Sequence, residues 1–154
     1  MTFVTTTRRE WLQWSVAGLL AAGSAAVVEA QSGTAIEIWK TPTCGCCRLW
    51  VDHIRAAGFR PTVHDLSDVS PIKRKLGVPA SLESCHTAVV SGYAIEGHVP
   101  ADVVHEMLKQ RPKIAGLAVP GMPMGSPGMD GPRKDPYNVV AFDANGRLSV
   151  FARR

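Results

Sequence analysis

The chain has 154 residues and a modest formal charge of +4, from 17 Lys and Arg against 13 Asp and Glu, and 45% of its residues are hydrophobic. Its only basic run, Lys73-Arg74-Lys75, has no interleaved aromatic residues, so a solvated helix face explains it better than a nucleic-acid surface. The four cysteines therefore become the main indication of function.

The N-terminal residues have the features of an export signal. The pair Arg8-Arg9 and an uncharged, Ala-, Gly- and Leu-rich stretch at 12–28 together resemble a twin-arginine signal, and small residues for cleavage follow the stretch. A membrane anchor is the alternative, but the stretch is only weakly hydrophobic. We therefore expect an export signal peptide at 1–30 and a single periplasmic domain at 31–154, which is long enough to form a hydrophobic core.

Polarity patterns and turn residues predict the elements of this domain. In chain order they are a strand at 35–39, a helix at 46–57, a strand at 61–66, a short helix at 70–76, a hairpin at 87–91 and 93–96, a helix at 100–110, and a closing hairpin at 137–142 and 148–152. Gly58 suits the residue that ends the first helix. The Gly- and Pro-rich segment 115–136 is expected to be an irregular loop, and it carries Met122, Met124 and Met129.

This order of elements is that of a thioredoxin-like fold. Such a fold is an α/β architecture with a central mixed sheet flanked by helices, here with a Met-rich loop and a C-terminal β-hairpin. A Cys-x-x-Cys pair, Cys44 and Cys47, lies at the start of the first helix, and Pro79 precedes the first hairpin. The corresponding proline of that fold is usually cis, but seven residues separate Pro79 from the strand here, which leaves the isomer open. The segment with Cys85 and His86 is expected to lie opposite the pair.

The cysteines are grouped as a soft metal or a redox reaction would require. Cys44, Cys46 and Cys47 occupy three of four consecutive positions, and Cys85 is expected from the facing segment. Neighbouring side chains on a helix are about 100° apart, so these sulfurs are better arranged to bridge several ions than to enclose one tetrahedral ion. Four thiolates would be neutralised by four monovalent ions. A helix N-terminus stabilises thiolates for either chemistry, so the motif leaves both open.

The methionines favour copper, and two histidines are further candidate ligands. Thioether with thiolate is the ligand set that selects Cu(I), although hydrophobic packing of a lid is the alternative for the methionines. Zinc would accept Cys and His ligands but gives no reason for a Met-rich loop. His86, beside Cys85, and His98 are the candidate nitrogen ligands, with a capping or turn role as the alternative for His98. His53 is expected to pack near Trp50, and the histidines expected to be structural or solvated are His64 and His105.

Motifs spaced along most of the domain carry a specific resemblance. They are Thr43-Cys-Gly-Cys-Cys, Gly77-Val-Pro79, Ser84-Cys-His-Thr-Ala88, Glu96-Gly-His-Val-Pro100, Gly116-Leu-Ala-Val-Pro-Gly-Met-Pro and Gly125-Ser-Pro-Gly-Met129. Together they resemble the CopG-like family of periplasmic copper-resistance proteins, over residues 36–146. The resemblance implies a thioredoxin-like domain that binds copper through a multinuclear copper–thiolate cluster and has a role in interconverting Cu(I) and Cu(II). The implied ligands are Cys44, Cys46, Cys47 and Cys85.

Three functions remain open. The first is periplasmic copper binding for copper resistance, with Cu(I) ions bound, other periplasmic copper-handling or efflux proteins as partners, and neither nucleic-acid binding nor a membrane span after cleavage. Copper oxidoreductase activity is an option within it. The second is a thiol–disulfide oxidoreductase in which Cys44 attacks and Cys47 resolves. The third is a structural domain with two ordinary disulfides, for which the adjacent Cys46 and Cys47 are awkward partners.

Overall fold

The computed structural model describes residues 33–154, and the export signal predicted at 1–30 lies outside them. In chain order the elements are β1 Ala35–Lys40, α1 Gly45–Ala56, β2 Arg60–Asp65, α2 Ser70–Lys75, β3 His86–Val90, β4 Tyr93–Gly97, α3 Ala101–Gln110, β5 Gly116–Val119, β6 Asn138–Phe142 and β7 Leu148–Arg153. A 3₁₀ turn at Ala80–Leu82 lies between α2 and β3. None of the helices in this part of the chain combines the length and apolar character that a bilayer span requires.

The strands form one mixed sheet in the order β2-β1-β3-β4-β5-β6-β7. The β1–β2 and β4–β5 pairs are parallel, and the other neighbours are antiparallel. β6 and β7 form the predicted closing hairpin. The predicted α/β class with a mixed sheet is therefore confirmed. Because the last residue of β1 pairs with the first residue of β3, residues 41–47 and 84–86 lie at the same end of these two strands.

Two amphipathic helices supply the hydrophobic core. α1 buries residues at i, i+3, i+4 and i+7 spacing, which are Cys47, Trp50, Val51 and Ile54. α3 buries Ala101, Val103, Val104 and Met107. Burial of a side chain such as Ile54 stabilises the fold by about 1.5–3 kcal/mol. The indole Nε1 of Trp50 also donates a hydrogen bond to the Val99 carbonyl at 2.9 Å, which joins α1 to the segment before α3.

The prediction of an irregular segment at 115–136 is wrong at its start, where β5 forms. All four residues of Gly116–Val119 are buried, and they pair with β4 on one side and β6 on the other. A Cβ at Gly116 would collide with the Ala94 carbonyl, so glycine here permits close strand approach. Pairing partners on both sides outweigh the weak local preference of a four-residue run flanked by helix and strand breakers.

The connection that carries Cys85 also differs from a simple loop. It contains the 3₁₀ turn at Ala80–Leu82, in which Leu82 is buried. Every peptide bond within residues 33–154 is trans, including the bond before Pro79, whose isomer the sequence leaves open. Cys85 then follows directly before β3, so its backbone position is set by the start of that strand.

Candidate metal centre

Four cysteine sulfurs meet at the N-terminal end of α1. Cys44 precedes the helix, and its Sγ accepts a hydrogen bond from the Cys47 N–H at 3.3 Å. The Sγ of Cys46 lies 3.5 Å from the Sγ of Cys44 and 3.9 Å from the Sγ of Cys85. All four sulfurs lie within 4.8 Å of one another. Folding thus brings two stretches that are 39 residues apart into one cluster. Cys85 lies beside the other three cysteines, as the sequence predicts.

The cluster is partly oxidised in this structure. Cys44 and Cys47 form a disulfide, whereas Cys46 and Cys85 are free thiols. Two of the four sulfurs therefore become metal-binding thiolates only after reduction. The hypothesis of two ordinary structural disulfides predicts that Cys85 lies far from the other three, which is not the arrangement observed.

The Cys85 thiol is protonated at neutral pH in the metal-free protein. Burial, and secondarily the negative charge of Cys46, raise the pKa of Cys85 to about 11. A metal cation at this sulfur would reverse the effect, because it stabilises the thiolate and displaces the proton.

His98 faces Cys85 with an unprotonated nitrogen. Its Nδ1 lies 2.8 Å from the carbonyl oxygen of Pro127, and its Nε2 lies 3.1 Å from the Cys85 Sγ. Because a carbonyl oxygen only accepts, Nδ1 carries the proton and the Nε2 lone pair points at the sulfur. Burial lowers the pKa of His98, although its hydrogen bond to Pro127 opposes the shift. The buried side chain is therefore a neutral imidazole, which is the form that binds metals.

His86 is fully buried beside the same thiol. Its ring lies 4.3 Å from the ring of Trp50 and 5.2 Å from that of His98, centroid to centroid. Its Nδ1 is 3.6 Å from the Cys85 Sγ, and its Nε2 has no hydrogen-bond partner within residues 33–154. Burial, followed by the charges of His98 and Lys73, holds the pKa of His86 well below its ordinary value, so this ring is also neutral.

The remaining histidines have contacts of their own. His53 accepts a hydrogen bond from the Ala101 N–H at 3.0 Å and so caps α3. His64 stacks on Trp39 with 5.3 Å between ring centroids. His105 is exposed, and it stacks on Phe59 with 4.4 Å between ring centroids.

The segment between β5 and β6 covers the start of α1. Gly128 has φ +86°, and an added Cβ would lie 2.6 Å from the Cys46 carbonyl oxygen, so the backbone is in close contact with the helix. Met129 closes a tight turn, since the Gly125 N–H donates to its carbonyl at 2.8 Å. Met129 and Met124 are half-buried, and Met124 lies beside Gly131, whereas Met122 is exposed.

Replacing Gly128 with alanine is expected to loosen this cover. The positive φ costs about 1–2 kcal/mol for a residue with a Cβ, and contact with the Cys46 carbonyl adds to that cost. We expect faster alkylation of Cys85 and faster amide exchange in 120–135, measured by mass spectrometry. Gly121→Ala is the matched control, because Gly121 has φ +76° and open space around it. Equal effects of the two substitutions would contradict the contact with α1.

The chain resembles known proteins in both sequence and structure. The family described as "Protein of unknown function, DUF411" matches residues 82–129, which include Cys85, His86 and His98. Two solved structures, described as copper resistance protein CopG in forms 1 and 2, each share 46% identity with this chain at a TM-score of 0.75. Each match covers 79% of this chain and 98% of the other. No curated protein sequence matches the chain at a significant level.

This chain belongs to the CopG family of copper resistance proteins.

In this CopG family member a buried ion pair holds the Cys85 segment in place. Lys73 Nζ contacts Glu96 Oε1 and donates to Thr87 Oγ1 at 2.9 Å. Glu96 accepts from the Thr87 hydroxyl at 2.6 Å and from the Ser84 N–H at 2.5 Å. Ser84 and Thr87 flank Cys85 and His86, while Glu96 lies two residues before His98. The network therefore fixes the two sides of the Cys85–His98 contact relative to each other.

The prediction of a solvated helix face at 73–75 is wrong for Lys73. Arg74 and Lys75 are exposed as predicted, but Lys73 is buried. The signal that points to this arrangement is Glu96, a charged residue within an otherwise apolar strand, since a buried carboxylate needs a partner. The Pro127 carbonyl that orients His98 leaves no such signal, because it is a backbone group contributed by a loop.

Proposed function

We propose that this protein is a periplasmic copper-binding protein that serves copper resistance and homeostasis. The observation that carries the proposal is the convergence of four cysteine sulfurs within 4.8 Å of one another. Thiolates select soft ions, and Cu(I) is the soft ion that matches solved relatives described as copper resistance proteins.

The bound metal is proposed to be several Cu(I) ions bridged by cysteine. The Cys46 Sγ lies 3.5 Å from the Cys44 Sγ and 3.9 Å from the Cys85 Sγ, so a bridging thiolate at Cys46 has a sulfur from each of the two segments nearby. Four thiolates carry four negative charges, which favours a group of monovalent cations over a single ion. His86, His98 and the thioethers are proposed as further ligands, the thioethers being those of Met122, Met124 and Met129.

The same residues offer a route for converting Cu(II) to Cu(I). When Cys44 and Cys47 are both thiols, forming their disulfide releases two protons and two electrons. The two electrons reduce two Cu(II) ions to two Cu(I) ions. The structure has a disulfide between the same two residues, which supports this proposed step. We propose this copper oxidoreductase activity as part of the function, with copper ions as its substrate.

The domain organisation is proposed to follow the same scheme. Residues 1–30 act as a cleaved export signal, and 31–154 form a single thioredoxin-like domain in the periplasm. The Cys-x-x-Cys pair at the start of α1 and the order of strands and helices support this fold. Copper efflux and other periplasmic copper-handling proteins are the proposed partners.

Counting Cu(I) on the fully reduced protein tests the proposal. Protein loaded without oxygen and challenged with a competing chelator is expected to retain several Cu(I) per chain, measured by elemental analysis. Cys46→Ser is expected to lose most of them, because the Cys46 Sγ is near the sulfurs of both segments that form the cluster. Arg48→Ser, an exposed change on the same helix, is the matched control. Less than one tightly bound copper, or full loading of Cys46→Ser, would defeat the copper cluster.

The Cys44–Cys47 disulfide favours a second candidate, a thiol–disulfide oxidoreductase. In that function Cys44 attacks a substrate disulfide and Cys47 resolves the mixed disulfide. Insulin reduction by metal-free protein distinguishes the two candidates, since an exchange enzyme needs neither Cys46 nor Cys85. Robust turnover in the Cys46→Ser and Cys85→Ser variants would favour this candidate.

A further inference from the structure

The two outermost strands of the sheet differ in how well they are protected against further pairing. In β2 the Arg60 N–H donates to the Thr34 carbonyl at 2.9 Å, so the backbone of the next residue, Pro61, faces the open side, where it has no N–H to donate. Arg60 and Asp65 are charged and exposed at the two ends of this strand. Because proline and charge block the addition of another strand, β2 is a protected edge.

The other edge, β7, lacks this protection. Its residues 148–152 are Leu-Ser-Val-Phe-Ala, with neither proline nor charge, and within residues 33–154 the strand pairs with β6 alone. The side chains of Leu148 and Val150 are 44% and 46% exposed. The end of the strand is fixed, since Arg154 and Tyr137 exchange backbone hydrogen bonds of 2.9 Å. β7 is therefore an ordered edge strand with an apolar, exposed side.

The backbone groups of Leu148 and Val150 point toward the open side of β7. Leu148 pairs with Phe142, whose carbonyl accepts a hydrogen bond from the Ala115 N–H at 2.8 Å on the opposite side of β6. Hydrogen-bonded and non-hydrogen-bonded pairs alternate along an antiparallel ladder, and the register is regular from Leu148 to Val150. Ser149 therefore bonds to β6, whereas its two neighbours present their N–H and C=O groups to an additional strand.

The exposed side chains of this edge continue a buried apolar face of the sheet. Leu148 lies opposite Phe142 and Val150 lies opposite Val140, so each pair shares one face. Phe142 is fully buried, and Val140 packs against the same small hydrophobic cluster. An added strand with apolar residues at the matching positions would extend this cluster and cover both exposed side chains.

A second copy of β7 has the required residues in the required positions. Antiparallel pairing about a two-fold axis at Ser149 places Leu148 of each copy opposite Val150 of the other. Each of these pairs exchanges both N–H···O bonds through the groups that face the open side. The same pairs bring four apolar side chains, two from each copy, together on one face of the joined sheet.

The charges at the ends of β7 favour this register over its neighbour. With the axis at Ser149, Arg147 of one copy lies opposite Phe151 of the other. Moving the axis to Val150 would place Arg147 directly opposite Arg153, and like charges in that position destabilise a strand pair. The strand is therefore complementary to itself in the register that also uses its outward backbone groups.

We propose that this protein forms a two-fold symmetric dimer in which the β7 strands of two copies pair antiparallel about Ser149. Association ends at the dimer, because pairing covers β7 in both copies and Pro61 protects β2. A contact through one pair of strands is small, so the dimer is expected to dissociate on dilution. The inference is independent of copper binding, since the four cysteines lie at the start of α1 and before β3.

Sedimentation equilibrium with a reductant present tests the dimer, since the reductant prevents cross-linking through cysteines. The fitted mass of the unaltered protein is expected to rise with concentration toward twice that of one chain. Ser149→Lys places like charges opposite each other at the axis and is expected to lose this rise. Thr62→Lys, the same kind of change at an exposed position of β2, is the matched control and is expected to dimerise normally. A single-chain mass for the unaltered protein at every concentration, or dimerisation of Ser149→Lys, would overturn the proposal.

Amide exchange of the unaltered protein tests the register without any substitution. Raising the concentration is expected to slow exchange at Leu148 and Val150, whose N–H groups bond across the dimer, and to leave Ser149 unchanged because it already bonds to β6. NMR spectroscopy resolves the three amides. Slowing at another surface with no change at Leu148 and Val150 would show that two copies meet elsewhere, and it would overturn β7 pairing even if the mass doubles.

Discussion

Replacing Cys85 with serine is expected to reduce Cu(I) binding from several ions per chain to at most one weakly held ion. Cys85 is the sulfur contributed by the segment before β3, far in sequence from the other three, and its Sγ lies 3.9 Å from that of Cys46. Serine has a similar size but a harder oxygen that does not bridge Cu(I). Elemental analysis after chelator challenge measures the loss, and Cu(I)–thiolate absorption gives a second readout.

Glu83→Gln is the matched control for this variant. Its side chain is exposed and lies two residues before Cys85 in the same segment. It is expected to bind as much Cu(I) as the unaltered protein. Retention of several ions by Cys85→Ser would show that Cys44, Cys46 and Cys47 suffice, and it would contradict a cluster formed from two segments.

Replacing Lys73 with methionine is expected to lower the free energy of unfolding by about 3–5 kcal/mol. The side chains of Lys73 and Glu96 are 3% and 0% exposed, so the substitution leaves a buried carboxylate without its counterion. Urea denaturation at neutral pH measures the change. Arg74→Met, the neighbouring exposed position, is the control and is expected to have little effect.

The pH dependence of this variant gives a second test. Burial raises the pKa of Glu96 above its ordinary value of 4.5, and Lys73 opposes that rise. Without Lys73 the pKa rises further, so stability is lost as pH increases through the folded-state pKa and is recovered as pH falls toward 4.5. Lys73→Met/Glu96→Gln removes both charges and is expected to be more stable than Lys73→Met at neutral pH. A deficit independent of pH and unrelieved in the double variant would contradict the buried ion pair.

Local patterns were sufficient for most of the fold. The spacing of Trp50, Val51 and Ile54 predicts α1, and Gly58 follows that helix with φ +89°. The closing hairpin is similarly predictable from two apolar runs around an Asn-Gly turn. The sequence patterns did not predict β5, because its four residues form a strand through pairing with β4 and β6, which are distant in sequence.

The candidate centre also contains some features that the sequence predicts and others that it does not. Cys44, Cys46 and Cys47 are conspicuous in sequence, and Cys85 with His86 is a natural partner segment. The role of His98 depends on the Pro127 carbonyl, and the burial of Lys73 depends on Glu96. Neither contact can be predicted from the local periodicity of the sequence, because each joins residues on different elements.

By itself, the sequence determined the sulfur-rich chemistry, the mixed α/β class and the family to which this chain belongs, since these follow from residue types, spacing and motif identity. Only the tertiary structure decided which nitrogen of His98 faces Cys85, that Lys73 is buried, and that Cys85 stands between an all-sulfur set and a nitrogen-containing set. The physical reason is that hydrogen-bond direction, burial and the distances between ligand atoms depend on atoms that the sheet brings together. Contacts of 3 to 4 Å between different elements cannot be read from local sequence.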